Sequence, residues 1–368
     1  MSRPAPRSAR LADGRALYLF DDHEHDGRAH RAVPIDRRRL PPPPPRNQLR
    51  WDPLTDEWVV IAPHRLGRAR GRGTGCALCP STPGAPTEIP ADTYDVAVFE
   101  NRFPALHGAA EVSVATAEGT RTSISAAGRC EVIAFSSEHH TAPAELSVHR
   151  IGTVVEAWIH RTRALNALPG VVQVVCFENR GAEIGATQSH PHGQIYGYPF
   201  EPARLRRMRE AAWRSRGQGV DCLHCHLLKA EERDGERLVL RTDRWTAFVP
   251  FAARWPYEVH LYPRRHVSEL RELDASECRE LAEVYRSLLR RFQYVDSAPL
   301  PYMALWVQAP ARGDEGLTHL HAQLFSDRFS PGVAKRLAAG ELGAGTHVSE
   351  AVPEETARRL RAVTDADG

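Results

Sequence analysis

No stretch of the 368 residues approaches the roughly 18 uninterrupted apolar residues that a membrane span requires, and the N-terminus lacks the apolar segment of a secretory signal. Neither sign of charge dominates. With 48 Lys and Arg against 46 Asp and Glu, the net charge of +2 is too small to argue for a nucleic-acid or membrane partner. Cysteine is sparse, at seven residues, and four of these form two Cys-x-x-Cys pairs with histidines placed to match. That pattern fits metal ligation in a reducing compartment better than a disulfide framework, so a cytoplasmic protein is expected. Cys130, Cys176 and Cys278 read as buried structural thiols. Hydrophobic content of 42% with 26% charged residues is ordinary for a globular chain with material for two domains.

The most telling feature is a repeat. Ser189-His190-Pro191-His192-Gly193-Gln194-Ile195 shares its His-x-His-x-Gln spacing with Thr318-His319-Leu320-His321-Ala322-Gln323-Leu324. On an extended strand alternate residues share a face, so each segment lines up two imidazoles and a carboxamide. Cys76, Cys79 and His139 precede His190, and Cys222, Cys225 and His266 precede His319, in the same order and with similar intervals. An internal duplication is the simplest account.

Residues 1–47 mix Arg, Asp, His and Pro without periodicity and end in five prolines, which predicts a disordered leader. Strands are expected at 57–61, 96–99, 112–115 and 131–135, then a helix over 144–166, a strand over 171–177, a loop holding Asn179 and Gly181, and the His190 strand. The second half repeats this order, with strands at 258–262 and 302–307. Between them Asp274 and Glu277 form a capping-box start for a helix. After Asp327 helices are expected at 333–339 and 353–363, separated by a glycine-rich stretch over 340–345. The fold class is therefore α+β, with a half over 48–200 and a half over 201–368.

Zinc favours four tetrahedral sulfur and nitrogen ligands, and a Cys-x-x-Cys turn presents two of them. Cys76, Cys79, His139 and His190 make one expected site, and Cys222, Cys225, His266 and His319 a second, with His224 and His226 as alternatives to His266. Four protein ligands leave no position for a metal-bound water, so both sites read as structural. His190 would then be consumed, leaving His192 free as a base or nucleophile towards phosphorus, with Gln194 on the same face to hold a phosphate oxygen. A phosphoryl centre also needs cations and donors, which Arg65, Arg68, Asn179 and Arg180 can supply. Phe99 and Asn101 suit a nucleobase, although a core aromatic would look the same.

These residues resemble the galactose-1-phosphate uridylyltransferase family of the histidine-triad superfamily, from Gln48 to the C-terminus. The resemblance rests on Asp52-Pro53-Leu54-Thr55, Pro63-His64-Arg65, the first cysteine pair, Phe177-Glu178-Asn179-Arg180-Gly181 and His190-Pro191-His192-Gly193-Gln194. It implies two fused histidine-triad halves, each an antiparallel sheet with packed helices, and usually a homodimer. It further implies ping-pong exchange of UMP between UDP-glucose and galactose 1-phosphate through a uridylyl-histidine at His192. Gln194 would hold the intermediate, Arg65, Arg68 and Asn179 the phosphates, Phe99 and Asn101 the uridine, and Lys335 and Glu341 the hexose phosphate, reaching a neighbouring subunit.

The chain also departs from the family pattern. A hydroxyl at Thr187 stands where well-known bacterial members carry a short Cys-Ser pair ahead of the histidines. Val307 and Gln323 occupy places of two histidines that form a further metal site in some relatives. A nucleotide-sugar phosphorylase of the ADP-glucose type shares most of these features, and a non-catalytic zinc-stabilised binding protein is a third reading. Because His321 lacks the neighbours that surround His192, one active histidine per chain is expected.

Overall fold

The computed structural model describes residues 5–22, 35–42, 44–67, 75–108, 116–118, 120–186, 188–314, 316–330, 333–335 and 337–364. Its strands in chain order are β1 (Arg7–Arg10), β2 (Ala16–Phe20), β3 (Gln48–Asp52), β4 (Glu57–Ile61), β5 (Val96–Glu100), β6 (Thr116–Glu118), β7 (Arg121–Ser125), β8 (Arg129–Ala134), β9 (Gln173–Arg180), β10 (His192–Tyr198), β11 (Leu238–Arg241), β12 (Trp245–Phe248), β13 (Tyr257–Pro263), β14 (Tyr302–Val307), β15 (His321–Ser326), β16 (Arg328–Ser330) and β17 (Val333–Ala334). The longer helices are α1 (Val148–Asn166), α2 (Ala203–Gly217), α3 (Leu223–Asp234), α4 (Ala275–Tyr294) and α5 (Pro353–Ala362).

Eleven strands form one antiparallel sheet in the order β1-β2-β5-β8-β10-β9-β14-β15-β13-β12-β11. Read outward from the β9/β14 seam, β9-β10-β8-β5 is mirrored by β14-β15-β13-β12, which is the duplication expected from the sequence. The seam itself is hydrogen-bonded, with Asn179 opposite Met303 and Phe177 opposite Leu305. The fold is therefore α+β, two antiparallel halves fused edge to edge. Helices α1 and α4 cover one face. A single core there joins both halves through Trp158, Tyr285 and Trp306, with the Trp158 ring 5.7 Å from Tyr285 and 6.0 Å from Trp306. Burial of such aromatic rings contributes the largest share of packing energy per residue.

Local chemistry explains the helix starts. Ser147 accepts a hydrogen bond from the Arg150 amide at α1, and Asp274 accepts from the Ser276 and Glu277 amides at α4. The Glu277 carboxylate returns to the Asp274 amide at 2.9 Å, which completes the expected capping box.

Three expectations are corrected. The leader is not wholly outside the fold, because Arg7–Arg10 and Ala16–Phe20 extend the large sheet and Arg150 clamps Asp22 and Asp95 to α1. Asn179 lies on a strand and not in a loop, because β14 gives β9 a second partner and carries pairing through Arg180. The described residues of the expected 333–339 helix instead begin as a strand, Val333–Ala334 pairing with Arg328–Ser330 and the Lys335 amide bonding the Asp327 carbonyl, and a helical turn starts only at Ala339. The strand expected at 112–115 falls outside the described residues.

Candidate active site and metal centres

The face of the sheet away from α1 and α4 carries the candidate residues. Paired residues across neighbouring strands share a face, so His192 stands with Ala134 and Ala97, Gln194 with Val132, Phe99 and Phe177, and Tyr196 with Cys130. The loop over residues 76–94 packs on this face through Leu78, Ile89 and Tyr94. The small sheet β4-β3-β7-β6 packs on it further along, through Leu49 against Cys130 and Tyr196. His192 lies half-buried between the two covers.

Both expected metal sets converge. Cys76, Cys79, His139 and His190 place their ligand atoms within 4.8 Å of one another, as do Cys222, Cys225, His266 and His319. In the first, His190 Nδ1 lies 3.6 Å from Cys76 Sγ and 3.7 Å from Cys79 Sγ, and His139 Nδ1 lies 3.4 Å from Cys79 Sγ. In the second, His266 Nδ1 and His319 Nδ1 lie 3.3 and 3.4 Å from Cys225 Sγ. Bond lengths of about 2.3 Å to sulfur and about 2.0 Å to nitrogen give a tetrahedral edge of about 3.5 Å, so the donors present fit such an ion. His266 therefore completes the second set. His224 instead bonds the Tyr262 hydroxyl at 3.2 Å, and His226 is no member of the cluster.

The outer ring nitrogens are fixed by hydrogen bonds. His190 Nε2 meets the Ser136 carbonyl at 2.7 Å and the Tyr94 hydroxyl at 3.1 Å, His319 Nε2 meets the Arg265 carbonyl at 3.1 Å, and His139 Nε2 meets Ser189 Oγ at 2.9 Å. A carbonyl only accepts, so in His190 and His319 the proton sits on Nε2 and the Nδ1 lone pair faces the sulfurs. Burial lowers both rings to about 4, which keeps them neutral as ligation demands. Burial and the neighbouring Cys76 push the Cys79 thiol up to about 11, a cost that a divalent cation relieves.

The same tautomer logic sets His192. Its Nδ1–H donates to the His190 carbonyl at 2.7 Å, so Nε2 carries the lone pair and has no hydrogen-bond partner among the described residues. Burial lowers its pKa, with the nearby Arg180 guanidinium acting in the same direction. Arg180 is itself held by the Ser189 carbonyl at 2.7 Å. Gln194 Oε1 accepts from the Tyr196 hydroxyl at 3.0 Å, which leaves the carboxamide N–H groups to donate elsewhere. Gly193 admits no side chain, since a Cβ there would sit 2.9 Å from the Phe177 carbonyl and 3.0 Å from the Phe135 ring. A neutral imidazole flanked by a cation and an amide donor can attack a phosphorus centre and hold the resulting charge.

The other expected residues divide. Asn179 joins the His192 face through β9. Arg65 sits in the turn Pro63–Gly67 and donates to the Phe103 carbonyl at 2.8 Å. Asn101 lines a cleft of about 360 Å³ with His64, Arg102, Phe103, Cys130 and Arg129. Phe99 is only 2% exposed and belongs to the core below that cleft, so the exposed ring there is Phe103. Lys335 donates to the Arg254 and Val348 carbonyls, and Glu341 lies 3.9 Å from its ammonium, both over the second half and away from the His192 strand. Arg68 and Thr187 lie outside the described residues. Tyr94, Tyr196 and Ser136 escaped the sequence reading; only Tyr196 had a local signal, two residues beyond Gln194 on the same face.

Comparison with known proteins accords with this geometry. Residues 43–202 match the N-terminal domain model of galactose-1-phosphate uridyl transferase, and residues 209–367 match its C-terminal domain model. The galactose-1-phosphate uridylyltransferase of Streptomyces lividans is 41% identical, across 97% of this chain and 98% of its own. That of Thermotoga maritima is 35% identical, across 85% of this chain and 98% of its own. A solved uridylyltransferase structure superimposes with a TM-score of 0.78 at 34% identity, covering 86% of this chain and 98% of that one. An ADP-glucose phosphorylase from Arabidopsis thaliana shares the fold, with a TM-score of 0.67 at 21% identity, across 86% of this chain and 99% of that one.

Proposed function

The chain belongs to the galactose-1-phosphate uridylyltransferase family, and from that premise we infer that it exchanges UMP between UDP-glucose and galactose 1-phosphate. His192 Nε2 attacks the α-phosphorus of UDP-glucose, the bond from that phosphorus to the bridging oxygen breaks, and glucose 1-phosphate leaves. A phosphate oxygen of galactose 1-phosphate then attacks the same phosphorus, the P–N bond breaks, and UDP-galactose departs with His192 restored. The observation carrying this reading is the His192 ring, with Nδ1 tied to the His190 carbonyl and its Nε2 lone pair open.

Gln194 N–H groups and Arg180 hold the non-bridging oxygens as charge builds on them. Arg65, Arg68, Asn179 and Thr187 add phosphate contacts, and Asn101 with the Phe103 ring, above Phe99, takes the uridine. Lys335 and Glu341 serve the hexose phosphate of a neighbouring subunit, because in one chain their contacts all belong to the second half; the working form is then a homodimer. Zinc is the ion we assign to both tetrahedral sites from their two-sulfur, two-nitrogen donor set. It supplies structural cross-linking and takes no part in the transfer. Four cysteines gathered with histidines as metal donors, and not as disulfides, support a reducing compartment, which we take to be the cytoplasm.

The test is covalent labelling. Protein mixed with UDP-glucose radiolabelled in the α-phosphate should retain label, and galactose 1-phosphate should discharge it as UDP-galactose. Label taken only from ADP-glucose and discharged by inorganic phosphate selects a phosphorylase. Label from neither donor leaves a binding protein.

A further inference from the structure

The family match begins at residue 43, yet the chain ahead of it is built into the wall of the cleft beside the active site. Strand β2 pairs with β5, Leu17 opposite Phe99 and Leu19 opposite Ala97, which sets the β1–β2 turn beside Glu100 where the chain leaves β5 for Asn101. Arg15, only 9% exposed, locks this turn in place. Its guanidinium donates to the Glu100 carbonyl at 2.7 Å, to Asp13 at 2.7 Å and to Glu88 at 2.6 Å. The Ala16 amide donates to the Glu100 carboxylate at 3.1 Å.

A second length of the same segment returns along the cleft. Arg38 donates to Glu88 at 3.0 Å, Asp36 accepts from the Ala12 amide at 3.0 Å, and the chain then runs past Pro41, Pro42 and Pro44. Beyond the prolines, Asn47 bonds the Pro104 and Ala105 carbonyls at 3.1 and 2.8 Å, which fastens the far end. The cleft is thus lined by Asn101, Phe103 and Cys130 together with the Asp13–Arg15 turn and the three prolines. Glu88, on the loop that carries the first cysteine pair, holds both N-terminal lengths of that lining through Arg15 and Arg38.

The position of the cleft identifies its occupant. Cys130 pairs with Tyr196, four residues along β10 from His192, so the cleft lies about 14 Å along the strand from His192, on the same face of the sheet. That displacement suits the nucleoside end of a nucleotide whose α-phosphate lies at His192. Rigid proline rings offer flat apolar surface to a base, and the Asn101 amide offers polar contacts to its edge or to the ribose. We propose that the Asp13–Arg15 turn and Pro41, Pro42 and Pro44 form the outer wall of the donor's nucleoside pocket, with Glu88 as the positioning residue that holds the wall in place.

This proposal rests on the transferase reading, and ping-pong kinetics separates the two. In the first half-reaction the uridine must be captured, so kcat/KM for UDP-glucose contains the wall contacts. In the second the uridylyl group is already seated before galactose 1-phosphate arrives, so kcat/KM for that substrate does not. The full-length variant Pro41→Gly/Pro42→Gly/Pro44→Gly should lower kcat/KM for UDP-glucose by about 10-fold while leaving that for galactose 1-phosphate within about twofold. Glu88→Gln should shift the same ratio in the same direction without touching the nucleoside. Unchanged kcat/KM for UDP-glucose in the proline variant, or a parallel fall for both substrates in both variants, overturns the wall. A wild type inert towards UDP-glucose strikes the transferase reading instead.

Discussion

The strand carrying His192 and the strand carrying His321 are built alike and end differently. In each, the first histidine turns its Nδ1 towards a cysteine pair, and its carbonyl accepts the Nδ1–H of the second. Both second histidines therefore hold an Nε2 lone pair. At His192 that lone pair is open. At His321 it is capped by the Gln323 amide at 3.0 Å, and the Gln323 oxygen is in turn held by Arg204 at 2.9 Å. His321 is also fully buried and stacked on Tyr262, with ring centroids 4.4 Å apart. Gln194, the counterpart of Gln323, is drawn the other way by Tyr196. Duplication kept the two-cysteine, two-histidine cluster in both halves, while the choice of carboxamide partner decides which second imidazole keeps an open lone pair.

The sharpest way to break this comparison is to remove each imidazole in turn. His192→Gly should lower transfer by about 10⁴-fold or more and abolish covalent label, while keeping the fold and both metal ions. His321→Gln should keep the label stoichiometry of wild type. Label persisting in the first variant, or vanishing in the second, exchanges the roles assigned to the halves.

Removing the anchors comes next. Binding at a closed tetrahedral site can supply on the order of 10 kcal/mol to folding. His190→Ala should therefore release one metal equivalent, lower the thermal midpoint and depress transfer, because the His192 tautomer depends on the backbone at 190. His319→Ala should release the other equivalent with less effect on transfer per folded molecule. Metal analysis beside turnover decides, and equal metal content in wild type and variant counts against ligation.

Smaller effects follow. Gln194→Ala should slow the reaction by roughly 10²-fold, as for loss of one oxyanion donor, with metal content and thermal midpoint unchanged. An undiminished rate removes that role. Glu178, beneath Gly193 on the helix-covered face, bonds the Tyr285 hydroxyl at 2.7 Å, and burial raises its carboxyl to about 7. The folded chain then binds this proton more tightly than the unfolded chain, so its contribution to stability declines as pH rises from about 4.5 through about 7. Denaturant titrations across that range should show the decline in wild type and a flatter profile in Glu178→Gln. Identical slopes would place the carboxylate elsewhere in the titration.

Much of this was legible in residue spacing. The His-x-His strands, the cysteine turns and the Asp274 cap are local patterns whose geometry follows from the period of a strand, the bite of a Cys-x-x-Cys turn and the free amides of a helix start. What escaped depends on partners distant in sequence. Ser8 and Ala9 carry no strand signal of their own and become a strand only because β5 leaves an edge for β2, and β2 for β1. Helices α2 and α3 are so rich in charge that their apolar stripes, such as Leu205 with Ala212, are too thin to read. Tyr94 reaches His190 across 96 positions of chain, and nothing near Tyr94 announces it.

A sheet of eleven strands still has two rims, and unpaired rims invite other chains to add to them. Here the outermost strands β1 and β11 both carry arginine, at Arg7 and Arg10 and at Arg241. Arg361 from α5 further occupies the Leu238 carbonyl on the second rim. Arg7 pairs with Asp21 and Arg241 with Glu232, so these arginines guard the rims as ordered side chains and not as a field of like charge, and a second sheet meets fewer free backbone groups to pair with.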